Sequence, residues 1–273
     1  MISIDDAIKW GFEQLKPKLE RARFESEQLL AYHLQVNRIY LLTHGDKVVE
    51  DFEGFGALVA RRANDEPFEY ITSKVSFYDI ELEVEHGVLI PRPETEILID
   101  KVAEIIEKNN ITTIAEIGVG SGAISIVLAR KFSNLHIISS DISPIALNVA
   151  RKNIASFGLE KQIILKETNL LDGIEQHIEL IVSNPPYIAN DEILEKNVKD
   201  YEPHIALFGG VGGHELLYDI VDLAIKRKVN YLCCEMGYDQ KEVMESYFKK
   251  NRVKSYSFYK DLASLDRGFC VKL

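Results

Sequence analysis

Apolar residues in the first 66 positions recur at the spacing of an α-helix. The first amphipathic segment follows a predicted helix cap at Ser3 and has its apolar side chains three or four positions apart, at Ile4, Ile8, Phe12 and Leu15. Residues 24–34 and 52–62 carry the same pattern. We therefore predict that residues 1–66 form a helical bundle.

The pattern changes at Pro67, where β-branched and aromatic residues become frequent. They occupy residues 68–71 and 75–84, and the turn-prone pair Thr72-Ser73 separates the two runs. This pattern predicts a β-hairpin, and we interpret residues 67–90 as a linker built around it.

From residue 91 onward, short apolar runs alternate with amphipathic ones, which is typical of a sheet with helices on both faces. Strands are predicted for seven runs: 112–117, 135–140, 162–165, 180–183, 231–236, 253–259 and 268–273. Helices are predicted before and between them, at 97–106, 123–132, 144–157, 215–226 and 241–249. The fold class predicted for residues 91–273 is therefore α/β, with a doubly wound and mostly parallel seven-stranded sheet.

Composition and charge narrow the classes of function. The chain has 273 residues, of which 46% are hydrophobic and 27% are charged, as in ordinary globular proteins. It contains no apolar run of membrane-spanning length, and its three cysteines do not suit a disulfide framework, so we expect a cytoplasmic protein. The formal net charge is −11, and both residues 1–75 and the remainder are acidic. Because nucleic-acid backbones are bound by basic surfaces, DNA is a disfavoured substrate.

A glycine-rich turn follows the first predicted strand of the α/β domain and carries the first candidate site. Its sequence is Glu116-Ile117-Gly118-Val119-Gly120-Ser121-Gly122. Glycines allow a tight turn and a close approach of a ligand to the backbone, but this spacing also satisfies the fingerprint of dinucleotide-binding proteins. Asp141 follows the next strand, where it can accept hydrogen bonds from ribose hydroxyls. Glu116 would repel a pyrophosphate and attract a cationic ligand, which favours S-adenosylmethionine.

A second candidate site lies at the end of the predicted strand 180–183, where the chain continues as Asn184-Pro185-Pro186-Tyr187. The prolines stiffen the backbone and lack N–H donors, so carbonyl oxygens are left as acceptors. The Asn184 amide oxygen and the Pro185 carbonyl can accept the two hydrogens of a planar NH2 group, and the Tyr187 ring can stack against it. Such a cradle would direct the nitrogen towards a donor methyl group and stabilise the charge that develops on it, without a metal ion.

These residues, together with further motifs, resemble the peptide-chain-release-factor glutamine N5-methyltransferase family. The similarity runs from about Arg23 to the C-terminus and rests mainly on the blocks 65–67, 89–96, 118–122, 183–187, 201–203 and 235–237. The Asn-Pro-Pro-Tyr motif is shared with methyltransferases that act on DNA adenine. The block Pro-Arg-Pro-Glu-Thr-Glu at 91–96, together with Tyr-Glu-Pro at 201–203, is more specific.

The resemblance implies a Rossmann-like, S-adenosylmethionine-dependent methyltransferase domain behind a helical domain that docks the substrate. The implied substrate is the glutamine of the Gly-Gly-Gln motif in class I peptide chain release factors. Carried over position by position, Glu116 and residues 118–122 would bind the methionine part of the donor, Asp141 the ribose and Asn169 the adenine. Residues 184–187 would hold the glutamine, and Asn184 would also touch the donor.

The chain departs from the family pattern at several of these positions. Glu116 and Val119 stand where the family usually has Asp and Thr, and Thr168-Asn169 replaces an acidic-aromatic pair. These departures bear on the contacts with the ammonium group and the adenine of the donor.

Other functions remain open from the sequence. A nucleic-acid amino methyltransferase would use the same Asn-Pro-Pro-Tyr cradle, but it needs a basic recognition region. A non-catalytic domain that binds a release factor or the ribosome would keep the fold without the reaction. A nicotinamide oxidoreductase has no use for Asn-Pro-Pro-Tyr. We expect a monomer that acts on release factors and binds neither DNA nor a membrane.

Overall fold

The computed structural model describes residues 2–253 and 255–273. Met1 and Lys254 lie outside the described residues, and Lys254 falls within the predicted strand 253–259. The helices of the described residues are α1 (Ile4–Leu15), α2 (Ala22–Leu34), α3 (Arg38–Thr43), α4 (Phe52–Ala63), α5 (Phe68–Thr72), α6 (Thr95–Asn109), α7 (Ala123–Lys131), α8 (Pro144–Ser156), α9 (Lys196–Tyr201), α10 (Glu215–Arg227) and α11 (Lys241–Lys250). No helix in this part of the chain is long and apolar enough to cross a membrane.

The strands are short, as is usual in globular domains. They are β1 (Ile2–Ser3), β2 (Val48–Val49), β3 (Lys74–Phe77), β4 (Ile80–Glu83), β5 (Thr113–Ile117), β6 (His136–Asp141), β7 (Ile163–Glu167), β8 (Leu180–Ser183), β9 (Ile188–Ala189), β10 (Phe208–Gly210), β11 (Tyr231–Glu235), β12 (Ser255–Lys260) and β13 (Asp266–Lys272). The strand predictions for the α/β domain are confirmed to within a few residues at each end.

The described chain divides into two compact units, and the first is helical. Helices α1, α2 and α4 confirm the three predicted amphipathic segments, and their apolar faces share one core that includes Leu15, Leu29 and Phe55. Ser3 caps α1 as predicted, because its hydroxyl accepts a hydrogen bond from the Asp6 backbone N–H at 3.1 Å. The short helix α3 and the β1–β2 pair were not predicted.

The helical unit is discontinuous in sequence. It comprises residues 2–73 together with Glu195–Tyr201, the segment that forms α9. The Lys196 ammonium group contacts the Asp65 carboxylate at 2.9 Å, and the Tyr201 hydroxyl donates to the Asn64 carbonyl at 2.9 Å. These contacts attach α9 to the segment that follows α4.

Residues 68–71 are helical, which corrects the prediction of a strand there. In α5, the backbone N–H groups of Tyr70 and Ile71 both donate to the Pro67 carbonyl at 3.1 Å. Ser73 ends the helix with a left-handed backbone, at φ 57°. Of the side chains that suggested a strand, Tyr70 and Ile71 are buried on this helix and Phe68 is half-buried. Tertiary packing therefore overrides the local preference for β structure.

The hairpin coincides with the second predicted run, 75–84, to within one residue at each end, since β3 begins at Lys74 and β4 ends at Glu83. Strands β3 and β4 pair antiparallel, and Tyr78-Asp79 forms the two-residue turn between them. Alternate residues of both strands are buried on one side: Val75, Phe77, Ile80 and Leu82. The hairpin belongs to the second unit, which comprises Lys74–Leu194 and Glu202–Leu273. The functional division of the chain at residues 66 and 90 stays a prediction.

In the described part of the second unit, seven strands form one sheet in the order β12-β13-β11-β8-β5-β6-β7. Neighbouring strands from β11 to β7 are parallel, and β13 runs antiparallel to both β11 and β12. This architecture confirms the predicted Rossmann-like, mostly parallel seven-stranded sheet.

Helices cover both faces of this sheet. On one face, α10 and α11 pack against apolar residues of the central strands, such as Ile117 and Leu232. Successive side chains of a strand point to opposite faces of the sheet. Glu116, which precedes Ile117 on β5, therefore lies on the other face, where it contacts Ser125 of α7. The sheet is therefore doubly wound, as predicted.

Asn153 on α8 connects three segments of the second unit. Its side-chain NH2 donates to the carbonyls of Glu83 on β4 and Ser121 in the glycine-rich turn, each at 2.9 Å. Its amide oxygen accepts the Glu83 backbone N–H at 2.8 Å. The Asn153 residue is only 2% exposed, so these backbone groups depend on it for their hydrogen bonds.

We expect Asn153→Ala to lower the free energy of unfolding by about 3 kcal/mol, because it leaves buried backbone groups without partners. Urea unfolding followed by circular dichroism measures this change. Asn148→Ala is the matched control, since Asn148 lies exposed on the same helix and its loss should cost at most ~0.5 kcal/mol. Equal stability of the two variants would contradict the role given to Asn153.

Candidate active site

The order of the strands reverses between β5 and β8. From β5 the chain moves outwards to β6 and β7, and it then returns to form β8 on the other side of β5. Loops that leave the carboxyl ends of strands at such a point diverge, and the crevice between them is the usual ligand site in this fold class. The glycine-rich turn follows β5, and Asn184 follows β8 directly. The structure thus brings the two predicted sites to one edge of the sheet.

The glycine-rich turn has a backbone that side chains rarely allow. Gly118, Gly120 and Gly122 have φ angles of 77°, 54° and 88°, which are strained for residues with a Cβ atom. The backbone N–H groups of Gly118 and Val119 donate to the Ser140 carbonyl at 2.9 and 3.0 Å. The turn is therefore tied to β6 by its own backbone.

Asp141, the last residue of β6, organises the neighbouring backbone. One of its carboxylate oxygens accepts the Gly120 N–H at 3.0 Å, and the other accepts the Ser143 N–H at 2.9 Å. Ser143 in turn caps α8. Because each carboxylate oxygen can accept more than one hydrogen bond, Asp141 keeps acceptor capacity for a ligand hydroxyl.

A cavity of about 290 Å³ lies at this edge of the sheet. Seven of the predicted site residues form part of its wall: Gly118, Gly120, Asp141, Asn169, Asn184, Pro185 and Pro186. The described residues that line the cavity do not include the other predicted site residues, which are Glu116, Val119, Ser121, Gly122 and Tyr187. The roles given to individual site residues stay predictions, but the cavity does join the glycine-rich turn, Asp141 and Asn184.

Much of the remaining wall is apolar and was not predicted. It includes Leu89 from the segment before α6, Ile142 after β6, Ile205 in a short 3₁₀ helix and Leu216 on α10. Ile142 and Ile205 are 49% and 59% exposed, respectively. Exposed apolar residues in loops follow no helix or strand period, so the sequence carried no signal for them.

A partly buried ion pair connects two segments of this wall. Arg92 contacts the Glu202 carboxylate, whose other oxygen accepts the Ile90 backbone N–H at 3.3 Å. Arg92 and Ile90 follow the wall segment at Leu89, and Glu202 precedes the one at Ile205. The Tyr-Glu-Pro motif thus contributes a structural contact that holds the two segments together.

The Asn184-Pro185-Pro186-Tyr187 turn is fixed at both ends by side-chain hydrogen bonds. The Asn184 NH2 group donates to the Thr95 hydroxyl at 3.0 Å, and the Tyr187 hydroxyl donates to the Glu235 carboxylate at 2.9 Å. The Gln240 side chain donates to the Tyr187 carbonyl at 2.7 Å. Burial and the neighbouring Glu235 raise the pKa of Tyr187, so its hydroxyl stays protonated as a donor.

A close approach of backbones explains the glycine at position 209. A Cβ atom on Gly209 would lie 2.4 Å from the Pro186 carbonyl oxygen and 2.3 Å from the Gly213 carbonyl oxygen. Strand β10, which contains Gly209, pairs with β9 directly after Tyr187. A residue larger than glycine at this position would therefore displace the turn that carries Asn184.

Glu116 is buried beneath the glycine-rich turn, on the face of β5 that α7 covers. Its carboxyl group accepts a hydrogen bond from the Ser125 hydroxyl, and Ser125 also contacts Ser139 at 2.7 Å. Burial raises the pKa of Glu116 to about 8, against the effect of the Ser125 hydrogen bonds. The carboxyl group is therefore largely protonated at neutral pH, and the predicted attraction of a cationic ligand to Glu116 stays a prediction.

Two family models match the chain. The model described as PrmC N-terminal domain matches residues 6–72, and the model described as methyltransferase small domain matches residues 93–201. The residues between the two matches, 73–92, contain the hairpin β3–β4.

Curated relatives of similar length carry the name release factor glutamine methyltransferase. The protein of that name from Clostridium acetobutylicum is 35% identical over 276 residues, which cover 97% of this chain and 97% of the relative. The one from Dictyoglomus turgidum is 43% identical over 217 residues, which cover 78% and 77%. The similarity therefore extends over both units.

Solved structures agree with the fold of the second unit. The catalytic domain of hMettl16 in complex with a MAT2A 3′UTR hairpin has a TM-score of 0.58, with 15% identity over 70% of this chain and 75% of that one. The human methyltransferase 10 domain containing protein has a TM-score of 0.53, with 17% identity over 70% and 89%. At this identity the likeness shows the fold alone.

The buried Glu116 should make stability depend on pH. Because its pKa is about 8 in the folded chain and 4.5 as its ordinary value, the folded state binds more protons than the unfolded state between these limits. The contribution of Glu116 to the free energy of unfolding of the wild type should thus fall as pH rises, by up to ~1.4 kcal/mol per pH unit. In Glu116→Gln this contribution disappears, so the stability of the variant relative to wild type should increase from pH 5.5 to 8.

Urea unfolding at several pH values measures this difference, and Glu160→Gln is the control because Glu160 is exposed. A difference between Glu116→Gln and wild type that stays constant with pH would show that Glu116 is not protonated in the folded chain.

Proposed function

Since the chain belongs to the family of release factor glutamine methyltransferases, we propose that it methylates the side-chain amide nitrogen (N5) of a glutamine in release factors. The proposed target is the glutamine of the Gly-Gly-Gln motif of class I peptide chain release factors, and S-adenosylmethionine is the proposed methyl donor. A substrate from the translation machinery implies that the protein acts in the cytoplasm. The observation that carries the proposal is the single cavity that joins Asp141 and Asn184.

The residues of the cavity suit S-adenosylmethionine. Asp141 offers carboxylate acceptors for ribose hydroxyls, and the positive φ angles of Gly118 and Gly120 leave the backbone of the turn open to a ligand. Apolar side chains such as Ile142 and Leu170 suit an adenine ring, next to Asn169. When bound, S-adenosylmethionine supplies a methyl group attached to a positively charged sulfur.

The Asn184 turn would supply the orientation that an amide nitrogen needs. A glutamine amide is a weak nucleophile, because its nitrogen lone pair is delocalised into the carbonyl. The Asn184 oxygen and the Pro185 carbonyl would accept its two N–H hydrogens and aim the nitrogen at the methyl carbon. As the new C–N bond forms and the C–S bond breaks, these acceptors would stabilise the positive charge on nitrogen until a proton leaves.

We further propose that the helical unit docks the release factor. Residues 6–72 match the family model described as PrmC N-terminal domain, and the curated relative from Clostridium acetobutylicum aligns over 97% of the chain. The substrate is a protein, and a macromolecular substrate needs more contact area than a cavity of about 290 Å³ provides.

Transfer of a labelled methyl group tests the proposed substrate. The protein is incubated with labelled S-adenosylmethionine and, in separate reactions, a class I release factor, its Gln→Ala variant at the Gly-Gly-Gln motif, DNA and RNA. We expect label on the wild-type release factor alone. Equal label on the Gln→Ala variant would reject the target residue, and label on a nucleic acid would favour an exocyclic-amine methyltransferase.

Substitutions in the two halves of the cavity should separate the reaction from donor binding. Asn184→Ala should lower kcat by about 10²- to 10³-fold, because it removes an acceptor aimed at the reacting nitrogen, while the Kd for S-adenosylmethionine changes little. Asp141→Ala should raise that Kd by about tenfold or more, because it removes charge-assisted hydrogen bonds. Isothermal titration calorimetry and methyl-transfer kinetics measure the two effects.

Asn148→Ala is the control for both variants, since Asn148 lies exposed on α8 outside the cavity wall. The assignment of roles would be wrong if Asn184→Ala lost donor binding as strongly as Asp141→Ala does.

A further inference from the structure

The Thr95 hydroxyl lies between Asn184 and Glu235. Thr95 is the first residue of α6, and Glu235 is the last residue of β11, the strand next to β8. The Thr95 hydroxyl donates to one Glu235 oxygen at 2.7 Å and accepts from the Asn184 NH2 group at 3.0 Å. Thr95 and Glu235 are buried, at 4% and 1% exposure.

The direction of these hydrogen bonds determines which way the Asn184 amide faces. A hydroxyl has one hydrogen, and that of Thr95 is given to Glu235, so its oxygen can only accept from Asn184. The NH2 group of Asn184 is therefore turned towards Thr95. The amide oxygen accepts no hydrogen bond from the described residues, and it remains as the acceptor that Asn184 contributes to the cavity wall.

The second Glu235 oxygen holds the other end of the turn. It accepts the Tyr187 hydroxyl at 2.9 Å, so one buried carboxyl group anchors both Asn184, through Thr95, and Tyr187. Gln240 adds a hydrogen bond to the Tyr187 carbonyl, and it is itself held by the Gly237 N–H at 2.9 Å. The turn is thus fixed from beneath by side chains that do not line the cavity.

We propose that Thr95 and Glu235 are positioning residues that lock the Asn184 amide with its oxygen available to the substrate. This inference rests on the proposed function. The lock makes the site select an NH2 group, since a glutamate carboxylate would present only acceptors to the Asn184 oxygen and the Pro185 carbonyl. Without the lock, the Asn184 amide can turn over and present its own NH2 group, which removes the alignment of glutamine and tolerates a carboxylate.

The test compares Thr95→Val, which keeps the side-chain shape, with Thr95→Ser, which restores the hydroxyl. We measure kcat and KM for a class I release factor, the Kd for S-adenosylmethionine and the inhibition constant of the Gln→Glu release factor. Thr95→Val should lower kcat by about 10²-fold, as expected for a misplaced reacting group, with KM and Kd within about threefold. Thr95→Ser should recover kcat to within about threefold of wild type.

The Gln→Glu release factor gives an independent measure of orientation. Its inhibition constant divided by the KM of the wild-type factor should be about tenfold smaller in Thr95→Val than in wild type, because the carboxylate no longer meets a fixed acceptor. Thr112→Val is the matched control, since Thr112 also donates its hydroxyl to a glutamate, Glu179, beside the amino end of β5. It should leave all these constants unchanged.

Glu235→Gln provides a second variant if Thr95→Val does not fold. A glutamine at 235 keeps one acceptor oxygen but offers an NH2 group in place of the other, so it can satisfy only one of the two hydroxyl donors. We expect kcat to fall by about tenfold or more, with the Kd for S-adenosylmethionine retained.

The possible failures are distinguishable. If the wild-type protein transfers no methyl group to the release factor, the proposed function is wrong. If wild type is active and Thr95→Val matches it, or if Thr95→Ser is as slow as Thr95→Val, the positioning role is wrong. A loss of donor binding and melting temperature in proportion to kcat would give Thr95 a structural role only and would also overturn the inference.

Discussion

The parallel pairing of β5 with β8 is the constraint on which the rest of the site depends. Ile117 pairs with Ser183, and the Ser183 hydroxyl donates to the Ile117 carbonyl at 2.7 Å, so both strands end at the same level. Each strand is followed at once by a turn that carries chemistry, and a Cβ atom on Gly118 would lie only 4.0 Å from the Asn184 carbonyl oxygen. Two motifs that are more than 60 residues apart in sequence become neighbours because parallel strands place their carboxyl ends at one edge.

Each of these turns has a buried carboxyl group beneath it. Glu116 lies under the glycine-rich turn and is held by Ser125, whereas Glu235 lies under the Asn184 turn and receives two hydroxyl donors. Burial raises the pKa of both groups. Burying a carboxyl group costs free energy of folding unless the group is hydrogen-bonded. The hydrogen bonds that it makes are directional, so they fix the orientation of their partners. The two carboxyl groups therefore give the site rigidity that backbone hydrogen bonds alone would not provide.

The sequence was most informative where a residue type has one physical use. Alternating periods identified the longer helices and the seven strands of the main sheet, but not the short helices α3, α5 and α9. Glycines and prolines identified the two turns at the sheet edge. The sequence failed at residues 68–71, where Tyr70 and Ile71, whose residue types favour strands, are buried on a short helix after Pro67. It also failed for Ile142 and Ile205, because the segments between regular elements that surround a cavity follow no helix or strand period. Thr95 and Glu235 belong to recognised motifs, but their link appears only when α6 and β11 meet in three dimensions.

The discontinuity of the helical unit has a consequence for how the chain is made. Residues 2–73 are synthesised before the second unit, whereas α9, which contributes Lys196 and Tyr201 to the helical unit, follows about 120 residues later. Domains fold as units during synthesis, beginning with the N-terminal part. The amino-terminal helices share an apolar core of their own, but the last helix of their unit is synthesised only after four strands of the main sheet, β5 to β8. The synthesis of the two units is thus interleaved, because the sequence of the helical unit is complete only after part of the second unit has been made.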